Sequence, residues 1–378
     1  MEKFGKSQPV KRVEDVRFLV GQGRYVDDIA PADALNAFFF RSPVAHAVIT
    51  ELDVDDAREA EGVHAVLTCV DLEAAGMNLE MAAVLVKNRD GSQGAATSRT
   101  MLAKDRLRFV GEPIVAVIAD TLAQARDAAE LIVLDYDELH AKMDLKAGGE
   151  TLHETAPDNV AFDWGMGDEA ATNAAFEKAA HVVSLDVGDN RIIVNSMEPR
   201  GCYSYWEDDR LHVAINGQGV WVNKTQMTAA FGLEPDDVHV TNPDTGGGFG
   251  MKGMGYPEPF SLAQAARVLG RPVRWMSERT EAMLSDNAGR DLTSLAELAF
   301  DENLKITAYR VHSDINLGAY NSQFAQPIQT QLFSRVLMGV YDVQDTYLSV
   351  NGYFTNTTQV DAYRGAGRPE AIYVLERV

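Results

Sequence analysis

The run Asp244-Thr245-Gly246-Gly247-Gly248-Phe249-Gly250-Met251-Lys252 constrains this chain more than any other segment. It follows a strand-like stretch that ends near Asn242. Four glycines around one aromatic let backbone N–H groups approach an anion or a cofactor without Cβ clashes, and leave Phe249 to cover an apolar face. Taken alone, such a run is more often a tight turn than a site. Its letters Gly248-x-Gly250-x-x-Gly253 also satisfy the dinucleotide fingerprint, with Glu278 roughly where a ribose-binding acid is expected. In that fold the helix begins inside the glycine motif, so that its N-terminus faces the pyrophosphate. Here the glycines lead into Gly253–Tyr256, and the spacing of Leu262, Ala265, Ala266 and Leu269 predicts a helix that opens at Pro257 and stops at Gly270. A nicotinamide-dependent dehydrogenase built on Gly248–Gly253 therefore stands as the competing reading. A P-loop is excluded, because no Gly-Lys-Ser/Thr follows.

A second segment, Ala362-Tyr363-Arg364-Gly365-Ala366-Gly367-Arg368-Pro369-Glu370, places two arginines around a flexible turn just ahead of a helix opened by Pro369. That geometry suits an oxyanion or a carboxylate. By itself it is as often a plain turn. Ile372 and Leu375 fall on one helical stripe, and no Gly or Asn cap precedes Val378, so the helix is expected to continue in a longer polypeptide or to be completed by a partner subunit.

Composition narrows the function classes. A formal charge of −22 on 378 residues leaves no basic excess to neutralise phosphates, which argues against nucleic acid as a partner. No apolar run is long enough for a membrane span or a signal peptide, so a cytoplasmic location is expected. The two cysteines, Cys69 and Cys202, are far apart and belong to no CxxC. No disulfide framework, zinc site or four-thiolate iron–sulfur site can be built from them, and any iron–sulfur centre must lie on another subunit. The eight histidines include no HExxH or similarly spaced pair.

Hydrophobic patterning predicts a mixed α/β (α+β) chain of two domains. Up to residue 140 the strand candidates are Ala37–Phe40, Ala65–Thr68 and the buried run Pro113–Ala119, with a short helix at Asp55–Glu61. A helix with Leu122, Ala125, Ala128, Ala129 and Ile132 on one stripe then leads to a strand near Val133–Tyr136, a βαβ-like unit. Residues 141–160 lose periodicity around Gly148-Gly149 and are expected to be a linker. The second domain, 161–378, is expected to contain strands at Val182–Val187, Leu211–Ile215 and Val238–Thr241 and helices at Asn173–Ala180 and Trp221–Phe231, the latter stopped by Gly232.

Together the two glycine segments are no longer generic. GGGFGMK followed by YPE, and AYRGAGRPE, resemble the two signature segments of molybdenum hydroxylase large subunits of the xanthine oxidase family, in the branch similar to aerobic carbon monoxide dehydrogenase large subunits. Supporting matches run in family order: VKRVEDVRFLVGQGRYVDDI (Val10–Ile29), RSPVAHAVI (Arg41–Ile49), VGEPIVAVIADT (Val110–Thr121), MEPRG (Met197–Gly201) and RPVRWMSERTEAM (Arg271–Met283).

The resemblance implies an α/β hammerhead domain over 1–140, followed by the N-terminal part of the first molybdopterin-binding domain, the chain being incomplete relative to the family. It implies a molybdenum–molybdopterin cofactor in the cytosine dinucleotide form, held by Gly247, Gly248, Phe249, Gly250, Arg364, Gly365, Ala366 and Gly367. The metal itself would be held by the pterin dithiolene and not by protein side chains. Gln218 falls where the family places a glutamine facing the apical oxo group, although the usual Ser/Thr-Thr before it is here Asn216-Gly217. With Phe249 and Arg364 it makes the implied catalytic set. Carbon monoxide dehydrogenases proper carry a copper-holding cysteine directly after that arginine, where this chain has Gly365, so a copper–molybdenum site is not expected.

The implied chemistry is hydroxylation of an aldehyde or an electron-poor heteroaromatic carbon, with water as the oxygen source. The family's general-base glutamate lies in a Gly-x-Gly-Glu segment beyond residue 378, so the chain alone is expected to be inactive. Glu258 and Glu370 read instead as first-turn helix acids. The implied partners are a C-terminal half or second large subunit, an iron–sulfur subunit and an FAD subunit, in a dimer of heteromers. A non-catalytic fragment or scaffold is the remaining alternative.

Overall fold

In the computed structural model, residues 11–97 and 99–378 are described. The absence of a leader read at residues 1–10, and the first residue of the Val10–Ile29 motif, lie outside them. Among the described residues no helix is long and apolar enough to cross a membrane.

Two large sheets organise the chain. The first has seven strands in the order Val238–Thr241, Arg210–Ile215, Gly201–Glu207, Val273–Met276, Leu35–Arg41, Pro113–Ala119 and Val63–Leu67. Segments from both ends of the sequence interleave in it. Leu35–Arg41 runs parallel to Val273–Met276 on one side and antiparallel to Pro113–Ala119 on the other. The period-two alternation of a strand explains how one segment serves two cores. Leu35, Ala37 and Phe39 enter the core of helix Glu258–Leu269 and Trp275. Phe38 and Phe40 face Ala125, Ala128 and Ala129 of helix Leu122–Ala129. All seven residues of Pro113–Ala119 are buried, as its unbroken apolar run predicts.

The second sheet has five strands in the order Val160–Gly167, Asp345–Phe354, Ile306–Gly318, Leu292–Phe300 and His181–Asp189. Helix Arg368–Arg377 lays Ala371, Val374 and Leu375 on its core. A two-stranded pairing of Ile192–Ile193 with Ala288–Gly289, and a bridge between Ala288 and Val360, stitch the segments where the two sheets meet.

The expected helix Trp221–Phe231 forms, and the helix expected to open at Pro257 spans Glu258–Leu269, each closed by a glycine in the left-handed region, Gly232 and Gly270. The helix expected over Asn173–Ala180 lies earlier, at Glu169–Glu177, because the Asp168 carboxylate accepts from Ala171 N (2.9 Å) and sets the start. The βαβ-like unit does not close in one sheet. Val133–Glu138 pairs antiparallel with Ala47–Asp53 in a separate three-stranded sheet. Its pattern is too exposed for a place beside the wholly buried Pro113–Ala119.

Candidate functional site

Strand Val238–Thr241 is the edge of the seven-stranded sheet, and Asn242-Pro243 ends it and releases the glycine loop. Strand Asp345–Phe354 of the other sheet feeds 355–361 into the arginine turn. The two turns touch. Arg364 N donates to Phe249 O (2.8 Å), and the Arg364 guanidinium lies over the Phe249 ring, 5.7 Å from its centroid. A Cβ on Gly250 would meet Ala362 O at 2.6 Å, and Gly250 has φ +97°, so only glycine permits this approach.

Part of the loop's row of donors is left unpaired. Gly247 has φ +97° and Phe249 φ +53°. The N–H groups of Gly247, Gly248 and Phe249 find no acceptor among the described residues, whereas Gly246 N and Gly250 N are both bonded to side chains. Three consecutive unpaired N–H groups beside a half-exposed aromatic form the concave donor row that binds anionic or carbonyl-rich groups. Gln218 closes one side. Its Oε1 accepts from Gly250 N (2.7 Å), and its side chain occupies the space that a Cβ on Gly248 would need, 2.6 Å away. The Gln218 amide Nε2 is left as a donor on the exposed side. The departure Asn216-Gly217 proves well supported: Asn216 is buried, accepts from Gly201 N (2.8 Å) and donates to Pro199 O (2.7 Å), while Gly217 N donates to Asn242 Oδ1 (3.0 Å).

Segments noted only as motifs turn out to anchor the loop. Glu198, of Met197–Gly201, accepts from Gly246 N (2.7 Å) and from the buried Lys252 Nζ (3.1 Å). Burial pushes the Lys252 ammonium down, and Glu198 opposes that shift. Asp244, at the start of the loop, is ion-paired with Arg17 and accepts from Arg24 N (2.7 Å), which ties the N-terminal motif to the site. Nothing in residue spacing links Glu198 or Arg17 to a glycine run far downstream, so these roles become visible only in the fold.

On the other side the turn is built from Gly365 (φ +109°), Ala366 (φ +48°) and Gly367 (φ +81°). Arg368 Nη1 is spent on Gly365 O (3.0 Å), whereas the Arg364 guanidinium has no hydrogen-bonded or ionic partner among the described residues. The two arginines that bracket the turn are thus not equivalent, and Arg364 is the one available to a ligand. Arg290, which no sequence signal pointed to, supports the turn from behind. It donates to Tyr363 O (3.1 Å) and Arg364 O (3.2 Å) and pairs with Glu370 (2.8 Å). Burial raises the Asp361 carboxyl, just ahead of the turn, to about 6.

Both acids set aside on sequence grounds are engaged. Glu370 belongs to Arg290, and Glu258 is fully buried between Arg200 (2.7 Å) and Arg41 (2.7 Å). Burial alone would raise the Glu258 carboxyl, but Arg200 and Arg41 outweigh it and hold the group well below the usual carboxylate range. Neither acid is placed to exchange protons with a ligand. The helix after the loop begins at Glu258, past a single turn at Met251–Gly253, so no helix N-terminus faces the glycines as the dinucleotide reading requires. No group of three or more His, Cys, Asp or Glu able to hold a metal exists among the described residues.

This architecture has relatives. Residues 152–378 match the molybdopterin cofactor-binding domain, and residues 20–140 match the aldehyde oxidase and xanthine dehydrogenase a/b hammerhead domain. The nicotine 6-hydroxylase large subunit of Paenarthrobacter nicotinovorans is 34% identical over 96% of this chain and 44% of its own length. The structure of Cu,Mo-CO dehydrogenase in its carbon monoxide reduced state superposes with a TM-score of 0.89 at 30% identity, covering 97% of this chain and 47% of that one. The nicotinate dehydrogenase large molybdopterin subunit of Eubacterium barkeri is 25% identical over 95% of this chain and 81% of its length. This chain therefore spans less than half the length of the first two and most of the third.

Proposed function

From the premise that this chain belongs to the molybdopterin cofactor-binding family of aldehyde oxidase and xanthine dehydrogenase relatives, we propose that the two touching turns hold one molybdenum–pterin group between them. The single observation that carries the reading is the contact of Phe249 with Arg364 across turns that come from different sheets. The free N–H groups of Gly247, Gly248 and Phe249 bind the pterin side, and Gly250, Gly365, Ala366 and Gly367 keep the walls thin enough for close approach. Gln218 Nε2 and the Arg364 guanidinium face the reacting side. When bound, such a group supplies two-electron oxidation of a carbon centre with oxygen drawn from water.

The chain's own residues provide binding, orientation and charge. Arg364, unpaired and fixed at its own N–H by Phe249, stabilises negative charge on a bound substrate or product. Gln218 is held in one rotamer by Gly250 N and so presents its amide without reorganisation. We assign the substrate class as an aldehyde or an electron-poor heteroaromatic carbon and not carbon monoxide. Gly365 offers no thiolate, and a Cβ built there would meet Pro369 Cγ at 2.3 Å, so the turn is shaped for glycine. In this reading the chain works within a cytoplasmic heteromeric complex. The rest of the large-subunit fold supplies the proton-transferring carboxylate, and iron–sulfur and FAD subunits receive the electrons. The cofactor form that suits it is the cytosine dinucleotide.

The test is cofactor content. The protein in its complex is purified and assayed for molybdenum and for the fluorescent oxidised pterin, beside Gly250→Ala and Gly248→Val. Stoichiometric metal and pterin in the parent, with roughly a tenfold loss in both variants, equivalent to about 1.4 kcal/mol of binding, is the expected result. A complex that contains neither group overturns the proposal.

A further inference from the structure

Behind the glycine loop lies a second polar feature that the proposed cofactor does not use. A narrow recess with a free volume of about 10 Å³ is lined by Arg99, Gln226 and Gln359, with Gly255, Ser322 and Gln323 beside them. All three of the first-named side chains are at least nine-tenths buried. Arg99 Nε and Nη2, and both amide atoms of Gln226 and of Gln359, have no hydrogen-bond partner among the described residues. The other polar walls are satisfied: Gln323 Oε1 accepts from Gly255 N (3.3 Å), and Ser322 Oγ accepts from Asn287 Nδ2 (2.8 Å). Three unpaired groups from three distant parts of the sequence thus line one recess, with Asn287 Oδ1 and Thr358 Oγ1 also unpartnered beside it. A buried polar group left unpaired costs about 1–3 kcal/mol, and a buried charge more, so a recess of this composition is stable only when filled.

The charge balance says with what. The carboxylates whose fields reach Arg99 are Glu258 and Glu112, and both are committed elsewhere. The oxygens of Glu258 accept from Arg200 and Arg41. Those of Glu112 accept from Tyr320 Oη (2.6 Å) and Arg108 N (2.6 Å). Burial pulls the Arg99 guanidinium down without a carboxylate bonded to it. The free volume holds one water-sized particle, about 10–15 Å³ being the space such a particle needs, so a two-oxygen carboxylate does not fit. A groove of about 270 Å³ shares Met81, Ala82 and Asn321 with the recess.

We propose that Arg99, Gln226 and Gln359 bind a single small monovalent inorganic anion of the halide class. The anion accepts from Arg99 Nε and Nη2 and from the two carboxamide Nε2 groups. It joins the segment that carries Arg99 to helix Trp221–Phe231, through Gln226, and to the 355–361 segment that leads into the arginine turn, through Gln359. Gly255 lies against the Gln226 carboxamide, since a Cβ there would stand 2.2 Å from Gln226 Oε1. The anion thus braces both turns from behind without touching the proposed cofactor.

The experiment exchanges crystals of the protein in its complex from sodium chloride into sodium bromide and records anomalous diffraction at the bromine edge. A bromine peak within hydrogen-bond reach of Arg99 and both glutamines is expected. A peak of water height with no anomalous signal, or no peak, overturns the proposal. In solution, replacing gluconate by chloride at constant sodium raises the Tm of the parent by a few degrees, and the rise disappears in Arg99→Met. A parent Tm indifferent to chloride contradicts the proposal, as does an Arg99→Met protein that keeps the full rise. Should Arg99→Met fail to fold, Gln359→Leu serves in its place: a higher half-saturating chloride concentration supports the site, and an unchanged one removes it.

Discussion

The two turns that meet at Phe249 and Arg364 are held in different ways. The glycine loop is fastened at its rim by the Gln218 amide and by the Arg17–Asp244 pair, whose arginine is 36% exposed, and from beneath by Glu198, 10% exposed. The arginine turn is fastened from inside the protein, by Arg290, which is 8% exposed and pairs with Glu370, 1% exposed. Rim anchors are screened and individually weak, whereas an interior ion pair is costly to break because it leaves a buried charge uncompensated. The molecule thus sets one adjustable wall against one rigid wall, and the contrast predicts that damage to the arginine turn falls on stability while damage to the glycine loop falls on binding.

The contrast is attacked most strongly at Arg290. Arg290→Met removes the partner of Glu370 and the donors to Tyr363 O and Arg364 O, and a loss of roughly 3–5 kcal/mol is expected in urea unfolding. A loss under 1 kcal/mol would erase the distinction between the walls. Gly250→Ala comes next. Its Cβ faces Ala362 O and its φ is left-handed, so about 1–3 kcal/mol of strain is expected, together with the loss of cofactor described above. Gln218→Ala, which frees an N–H that water reaches, is expected to cost about 0.5–1.5 kcal/mol and to lower activity more than stability. Arg17→Met is expected to leave the unfolding midpoint nearly unchanged.

A pH titration sharpens the same comparison. His153 lies between Tyr320 and Phe354 on the side of the five-stranded sheet, and burial, helped by Arg108, pushes its imidazole down to about 4. Below about 6.5 the unfolded chain takes up the proton and the folded one resists it. Stability is therefore full above that pH and is lost as the pH falls toward 4. Unfolding followed across this window shows the slope in the parent and a shallower one in His153→Phe.

How much of this was legible in the sequence depended on the range of the physics involved. Local signals spoke plainly: Gly232 and Gly270 end helices where they were expected, and the unbroken run Pro113–Ala119 is a wholly buried strand. The helix start read at Pro257, one residue before the observed Glu258, already weighed against a dinucleotide fold. Long-range pairing was not legible. That Val133–Glu138 joins Ala47–Asp53, that Leu35–Arg41 lies beside Val273–Met276, and that the strands Leu292–Phe300 and Ile306–Gly318 build the second sheet are all set by contacts distant in sequence. The candidate site divides likewise. Gln218, Phe249 and Arg364 were marked by resemblance, but the inequality of Arg364 and Arg368, and the anchoring roles of Glu198 and Arg290, depend on which carbonyls and carboxylates the fold brings near.

The central claim is that both turns face one molybdenum–pterin group. It is tested most directly by an anomalous map at the molybdenum edge from crystals of the cofactor-loaded complex. The account predicts a single molybdenum peak in the cleft between Phe249 and Arg364, with pterin density against the N–H groups of Gly247, Gly248 and Phe249. Molybdenum located away from that cleft, with the glycine loop packed against protein alone, would contradict it.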